Sequence, residues 1–233
     1  MENEMNWNTI KPGVITVCTY SGFAPVCFVK DGEPAGKDIS FLKKFAADYG
    51  MKVEFIVLPY FIGIWREPCK GSCDIAAAGI SPWQARKKES PGAVWTEDYF
   101  HVQRSLLIRK ADEDKFHTIA DFKGKTIAVT EGSSADLDID AETRKTTTIV
   151  YRSDQQAAVA ELLAGSIDAF GEGDVSNLYL AIGKPLTITA VHHLDPKNPE
   201  AFSFPVREAS GVVGALNDWI AARPKDEYLN IAV

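Results

Sequence analysis

Ile75 to Ala78 is an apolar run with no polar alternation, lying inside the stretch DIAAAGISPWQAR from Asp74 to Arg86. A strand that is apolar on both faces has to be covered on both faces, so this run constrains the chain to sheets flanked by helices. After Gly79, Ser81 offers a hydroxyl to cap a following helix, and Pro82 has the fixed φ that a first helical turn tolerates. Free backbone donors at a helix start favour an anion, and Arg86 supplies a guanidinium able to clamp a carboxylate. An ordinary β-to-α turn with a surface arginine is the plainer reading of the same residues.

The rest of the chain repeats the alternation. Val14 to Cys18 and Lys52 to Leu58 are β-rich runs. Between them Ile39 to Tyr49 carries Ile39, Phe41, Leu42, Phe45 and Ala46 at helical spacing and ends at Gly50. Residues 61 to 67 read as a short helix stopped by Pro68, and 74 to 79 as a third strand. The order β-α-β-α-β predicts a parallel sheet with right-handed crossovers. A second series follows: strands at Leu106 to Ile108, Thr126 to Thr130, Thr147 to Tyr151 and Asp168 to Gly171, with helices at Ser153 to Ala164 and Val175 to Ile182. After a loop rich in Asp, Pro and Asn at 195 to 199, Ala201 to Val206 reads as a strand and Gly211 to Ala222 as a helix. Two α/β units in tandem, without a sequence repeat, would enclose a ligand between the carboxyl ends of their strands.

At 233 residues the chain is long enough for two such lobes, and its net charge of -7 lacks the basic excess that a nucleic-acid surface needs. No stretch approaches the roughly 18 apolar residues of a membrane helix. MENEMNW has neither the basic nor the apolar region of a signal peptide, so the address of an exported protein would already have been removed. Cys18, Cys27, Cys69 and Cys73 fall in the first third of the chain, an even count that suits two disulfides and an exported location. Of three pairings the local ones are favoured, Cys18 with Cys27 and Cys69 with Cys73. A zinc site is the alternative, but His101, His117, His192 and His193 are all remote, and reduced core thiols are the plainest case.

Five segments, taken in order, resemble the family 3 extracellular solute-binding proteins, the type II periplasmic-binding fold of polar amino-acid receptors. SGFAPVCF resembles the first ligand loop, GEPAGKDISFLKKFAADYG the "G-x-D-(I/V)-D-L" helix, and DIAAAGIS with its later Arg the "A-G-(I/M)-(S/T)-x-x-x-x-R" turn. WTEDYF resembles "F-S-x-x-Y-Y", and DFKGKTIAVTEGSSAD resembles "D-L-x-G-K-x-V-A-V-x-x-G-(S/T)". The resemblance implies two Rossmann-like lobes joined by a two-strand hinge, with a ligand cleft between them. Lobe 1 would be residues 1 to 104 plus 203 to 233, and lobe 2 residues 105 to 202.

By the same resemblance Arg86 would grip a ligand carboxylate, with Ser81 and the backbone at Gly79. Ser133 and Ser134 would donate to that carboxylate from lobe 2, and Phe23 and Phe61 would flank the ligand. The family's ammonium-binding acid falls near Gly173. Asp174, followed by Val-Ser-Asn, is the preferred assignment, Glu172 the fallback, and a solvent-facing acidic pair the plainer reading. Tyr20 stands where receptors for basic amino acids have an Asp, so a cationic ligand side chain has no evident partner.

The function implied is a monomeric periplasmic or extracellular receptor that needs no cofactor or metal. It would bind an amino acid or a related small carboxylate and deliver it to the membrane subunits of an ABC importer. Cyclohexadienyl dehydratases resemble the same family and use a cleft carboxyl as general acid, so Glu172 or Asp174 could serve an enzyme instead. A ligand-binding sensory domain cut from a longer chain would share the binding chemistry. A hydrolase is disfavoured by the lack of G-x-S-x-G.

Overall fold

A computed structural model describes residues 7–189 and 201–233. The 195 to 199 loop, His192 and His193 lie outside the described residues. The fold is a two-lobed α/β arrangement built on two five-stranded sheets. In the first, the strands lie in the order Lys52–Leu58, Val14–Tyr20, Ile75–Ala77, Pro205–Arg207, Ala93–Trp95. In the second the order is Thr148–Tyr151, Thr126–Val129, Ala169–Gly173, Arg104–Arg109, Leu186–Ile188.

The strands expected to be parallel, Val14–Tyr20, Lys52–Leu58 and Ile75–Ala77, are parallel, and later strands make both sheets mixed. In each, three strands are parallel, and a strand from the far side of a lobe crossing is inserted antiparallel beside them. The segment read as one strand from Ala201 to Val206 is two. Ala201–Phe202 pairs antiparallel with Phe100–His101 between the sheets, and Pro205–Arg207 joins the first sheet. Between them Ser203 and Phe204 are held by Thr96, whose hydroxyl accepts from the Phe204 amide at 2.9 Å and whose carbonyl accepts from the Ser203 hydroxyl at 2.7 Å. The loop read as SGFAPVCF forms part of a small three-stranded sheet, Gly22–Phe23, Cys27–Lys30 and Glu33–Ala35, which periodicity did not reveal.

Burial follows the pattern that defined the strands. Along Arg104–Arg109, Leu106 and Ile108 enter one core while Leu107 enters another on the opposite face, so consecutive apolar residues are each covered. Helix Lys37–Asp48 buries Ile39, Phe41, Leu42, Phe45 and Ala46 against the first sheet. Asp154 caps helix Gln155–Ala164 by accepting from the Gln156 and Ala157 amides, and Gly165 ends it with φ 80°. The turn after Ile75–Ala77 differs from expectation. Its helix is Gln84–Glu89 with Trp83 at the cap position, so Ser81 is no cap and Pro82 precedes the helix.

The cysteines pair as neither local option. Cys18 is bonded to Cys73, while Cys27 is buried and free and Cys69 is free and partly exposed. Sequence distance misled because Val14–Tyr20 and Ile75–Ala77 are adjacent strands, bringing Cys18 within reach of a residue 55 positions away. Closing a loop of that length stabilises the fold by about 4 kcal/mol in the chain-entropy account. Alkylation of the native, non-reduced protein is expected to modify Cys69 alone, with Cys27 reacting only after unfolding. Mass spectrometry that found Cys18 or Cys73 alkylated without reductant would refute this pairing.

Candidate ligand-binding site

The carboxyl ends of both sheets' parallel strands face a cavity between the lobes. From lobe 1 it is lined by Tyr20 at the end of its strand, by Phe23 and Phe61, and by Gly79 and Ser81 just beyond Ile75–Ala77. Ser133, Ser134 and Glu172 line it from the opposite side. Eight of the ten residues singled out from the sequence thus meet in one place.

Glu172 belongs to strand Ala169–Gly173 opposite Ser105, and only 5% of the residue is exposed. Its carboxylate accepts from the Thr130 hydroxyl at 2.6 Å. Burial pushes its pKa up to about 7, only partly offset by that hydrogen bond. Tyr20 is buried beside it, and its hydroxyl donates to the Ser153 carbonyl at 2.6 Å. Burial, together with the charge of Glu172, holds the Tyr20 hydroxyl well above its ordinary pKa. Ser81 and Ser134, from opposite lobes, are 3.2 Å apart through their hydroxyl oxygens. Ser133 caps helix Ser134–Asp138, its hydroxyl accepting from the Asp136 amide at 3.2 Å.

Asp174 and Arg86 stand apart from the cavity. The strand runs on to Gly173, which stands at the cap position of helix Asp174–Ala181, so Glu172 lies on the strand and Asp174 on the helix. Asp174 opens the helix, and its carboxylate accepts from the Gln103 and Val175 amides at 3.1 and 2.8 Å. Arg86 is 1% exposed behind Ser81, donating to the Ser81 carbonyl at 3.1 Å and to the Gly132 carbonyl of the other lobe at 2.8 Å. Its guanidinium carbon lies 4.8 Å from the Trp65 ring centre and 5.5 Å from those of Phe61 and Trp83.

The sequence reading missed Arg104. It is buried at the start of Arg104–Arg109, lines the cavity, pairs with Asp138 and lies 5.7 Å from the Trp83 ring centre. Its one signal was its place four residues past the WTEDYF segment. Thr130 was likewise missed as the partner of Glu172.

Residues 15–232 match the model of the bacterial extracellular solute-binding proteins, family 3. The chain belongs to that family. A substrate-binding protein of an amino acid ABC transporter from Streptococcus pneumoniae, bound to L-arginine, superposes on this family 3 protein with a TM-score of 0.80. Its identity is 24%, over 90% of this chain and 88% of the other. The arginine-bound, truncated ArgBP of T. maritima superposes with a TM-score of 0.77 at 22% identity, covering 91% and 97% of the two chains. The ancestral amino acid-binding protein AncCDT-1, a precursor of cyclohexadienyl dehydratase, superposes at 0.77 with 23% identity, covering 91% and 89%. At such identities these likenesses establish the fold. Among curated proteins, the probable amino-acid-binding protein YxeM of Bacillus subtilis is 22% identical over 147 residues. That match takes in 63% of this chain and 54% of YxeM, so the solute-binding protein described here spans about half the length of that relative.

Proposed function

We propose that the protein is a receptor for a small zwitterion, an amino acid, held between lobe 1 (1 to 104 with 203 to 233) and lobe 2 (105 to 202). The observation that carries this reading is Glu172, a buried carboxyl facing a cavity whose lining also holds hydroxyls, aromatic rings and the Arg104 guanidinium. An ammonium beside it would restore the charged carboxylate that burial disfavours. The ligand carboxylate would take the donors that Ser81 and Ser134 now direct at each other, with Arg86 supplying positive charge from behind Ser81. Phe23, Phe61 and Tyr20 would pack against the ligand's carbon skeleton. With Tyr20 committed to Ser153, no acid on that wall awaits a cationic side chain, which favours a neutral amino acid. In this reading a monomeric, exported receptor presents its closed form to the membrane subunits of an ABC importer.

The test is a melting-temperature screen of the twenty common L-amino acids and small organic acids. A ligand at a hundred times its Kd stabilises the native state by about 2.7 kcal/mol, a rise of roughly 5 to 10 °C for a chain of this size. If no amino acid raises the melting temperature, the receptor reading is wrong.

A second reading draws on the same carboxyl, because a group titrating near 7 is also placed to act as a general acid. Adding prephenate and arogenate to the screen, with detection of the aromatic product, separates the two. Turnover would make the protein a dehydratase, and stoichiometric binding alone a receptor.

A further inference from the structure

On one edge of the cleft, outside the cavity lining, the two lobes meet in a ring of buried hydrogen bonds. The Ala24 amide donates to the Gln155 side-chain oxygen at 2.8 Å. The Gln155 side-chain nitrogen donates to the Ser176 hydroxyl at 2.9 Å, and that hydroxyl donates to the Ala24 carbonyl at 2.6 Å. Both polar atoms of one lobe 1 residue are therefore held by side chains from two helices of lobe 2, Gln155–Ala164 and Asp174–Ala181. All three residues are buried. Neither Gln155 nor Ser176 lines the cavity, but Ala24 follows Phe23, which does.

The adjoining backbone is shaped for the same contact. A methyl group at Gly22 would lie 2.3 Å from the Ser153 carbonyl oxygen of lobe 2, at a backbone φ that any residue adopts. Its other near neighbour is the Tyr20 side chain, which itself reaches across to Ser153. Glycine at this position is thus required for lobe contact, not for chain geometry.

The geometry points to Gln155 and Ser176 as positioning residues that set how firmly the protein retains its ligand, by clamping Ala24 when the lobes are together. The proposal rests on the receptor reading for its meaning, but its contacts are independent of ligand chemistry. Separating the lobes exposes the Ala24 amide and carbonyl to water, whereas removing Gln155 leaves the amide buried and unbonded in the closed form alone. The clamp therefore changes the ratio of closed to open protein, and with it the apparent affinity, without a contact to the ligand.

Small-angle X-ray scattering of the full chain, alone and with a mixture of the twenty common L-amino acids, reads that ratio. Gln155→Ala is expected to lower the closed-to-open ratio about tenfold relative to wild type, the loss of one to two buried hydrogen bonds. Ser176→Ala is expected to act in the same direction, and Gly22→Ala to hold the protein open while its circular dichroism stays that of the wild type. Variants as compact as wild type in both conditions would overturn the clamp, as would a wild type that never reaches the closed dimensions. A wild type that closes while no amino acid raises its melting temperature would sink the receptor reading and leave the clamp standing.

Discussion

Glu172→Gln is expected to stabilise the ligand-free protein at pH 8 and to weaken amino-acid binding by about a hundredfold or more. The two effects have one origin. Burial raises the Glu172 pKa from 4.5 to about 7, so the native state holds a proton that the unfolded chain releases. The contribution of Glu172 to stability therefore falls as pH rises from the unfolded value through the folded one, and that contribution is gone above about 7. Glutamine keeps an acceptor for the Thr130 hydroxyl but never ionises. The variant should match wild type near pH 4 and exceed it by on the order of 3 kcal/mol at pH 8, an upper estimate from the size of the shift. Melting temperatures across that range check the sign, and a gap that narrows towards pH 8 would contradict the assignment. Binding should move oppositely, because an ammonium would lose its buried anionic partner. In the wild type, affinity should drop about tenfold per unit as pH falls below 7, since the carboxyl must shed its proton to pair.

Asp38→Ala should be the most damaging single change away from the cleft. The Asp38 carboxylate is wholly buried, with one oxygen accepting from the Tyr99 and Tyr228 hydroxyls at 2.8 and 2.6 Å and the other from the Gly79 amide at 2.8 Å. Truncation strands three buried donors, at about 1 to 3 kcal/mol each, so a loss of 3 kcal/mol or more is expected. Asp38→Asn keeps one acceptor oxygen and should cost less. Chemical denaturation measures both, and an alanine variant within 1 kcal/mol of wild type would show that water replaces the carboxylate. Because Gly79 lines the cleft, Asp38→Ala should also loosen binding. Burial raises the Asp38 pKa from 3.8 to about 6, so its contribution, like that of Glu172, weakens as pH rises through that interval.

Elements with strong periodicity were legible in the sequence. Lys52–Leu58 matches its expected bounds, and the helix read from Ile39 is Lys37–Asp48, because side-chain spacing alone decides which face is covered. The parallel direction of Val14–Tyr20, Lys52–Leu58 and Ile75–Ala77 was legible as well, but the antiparallel insertions were not. Nothing in Pro205–Arg207 announces that it enters the first sheet between Ile75–Ala77 and Ala93–Trp95, since pairing partners are set by the whole chain path. The Cys18 to Cys73 bond was hidden for the same reason. Within the site, the turn residues Gly79 and Ser81 and the serines at 133 and 134 could be read from local motifs. That Glu172 and not Asp174 lines the cavity could not, because it depends on where a strand ends and a helix begins. Arg104 carried only its spacing from the WTEDYF segment, as its burial at the cavity wall arises from the crossing between lobes.

The inserted strand Pro205–Arg207 also orders events during synthesis. All five strands of the second sheet lie between Arg104 and Ile188, so that sheet is complete once its own stretch of chain has left the ribosome. The first sheet is made earlier yet stays unfinished. Ala93–Trp95 is joined to its neighbours only through Pro205–Arg207, and the Lys37 ammonium waits for the carbonyls of Leu229 and Ile231. The half translated first is therefore completed after the second sheet, and its apolar face must be kept from other chains until residues 205 to 231 arrive.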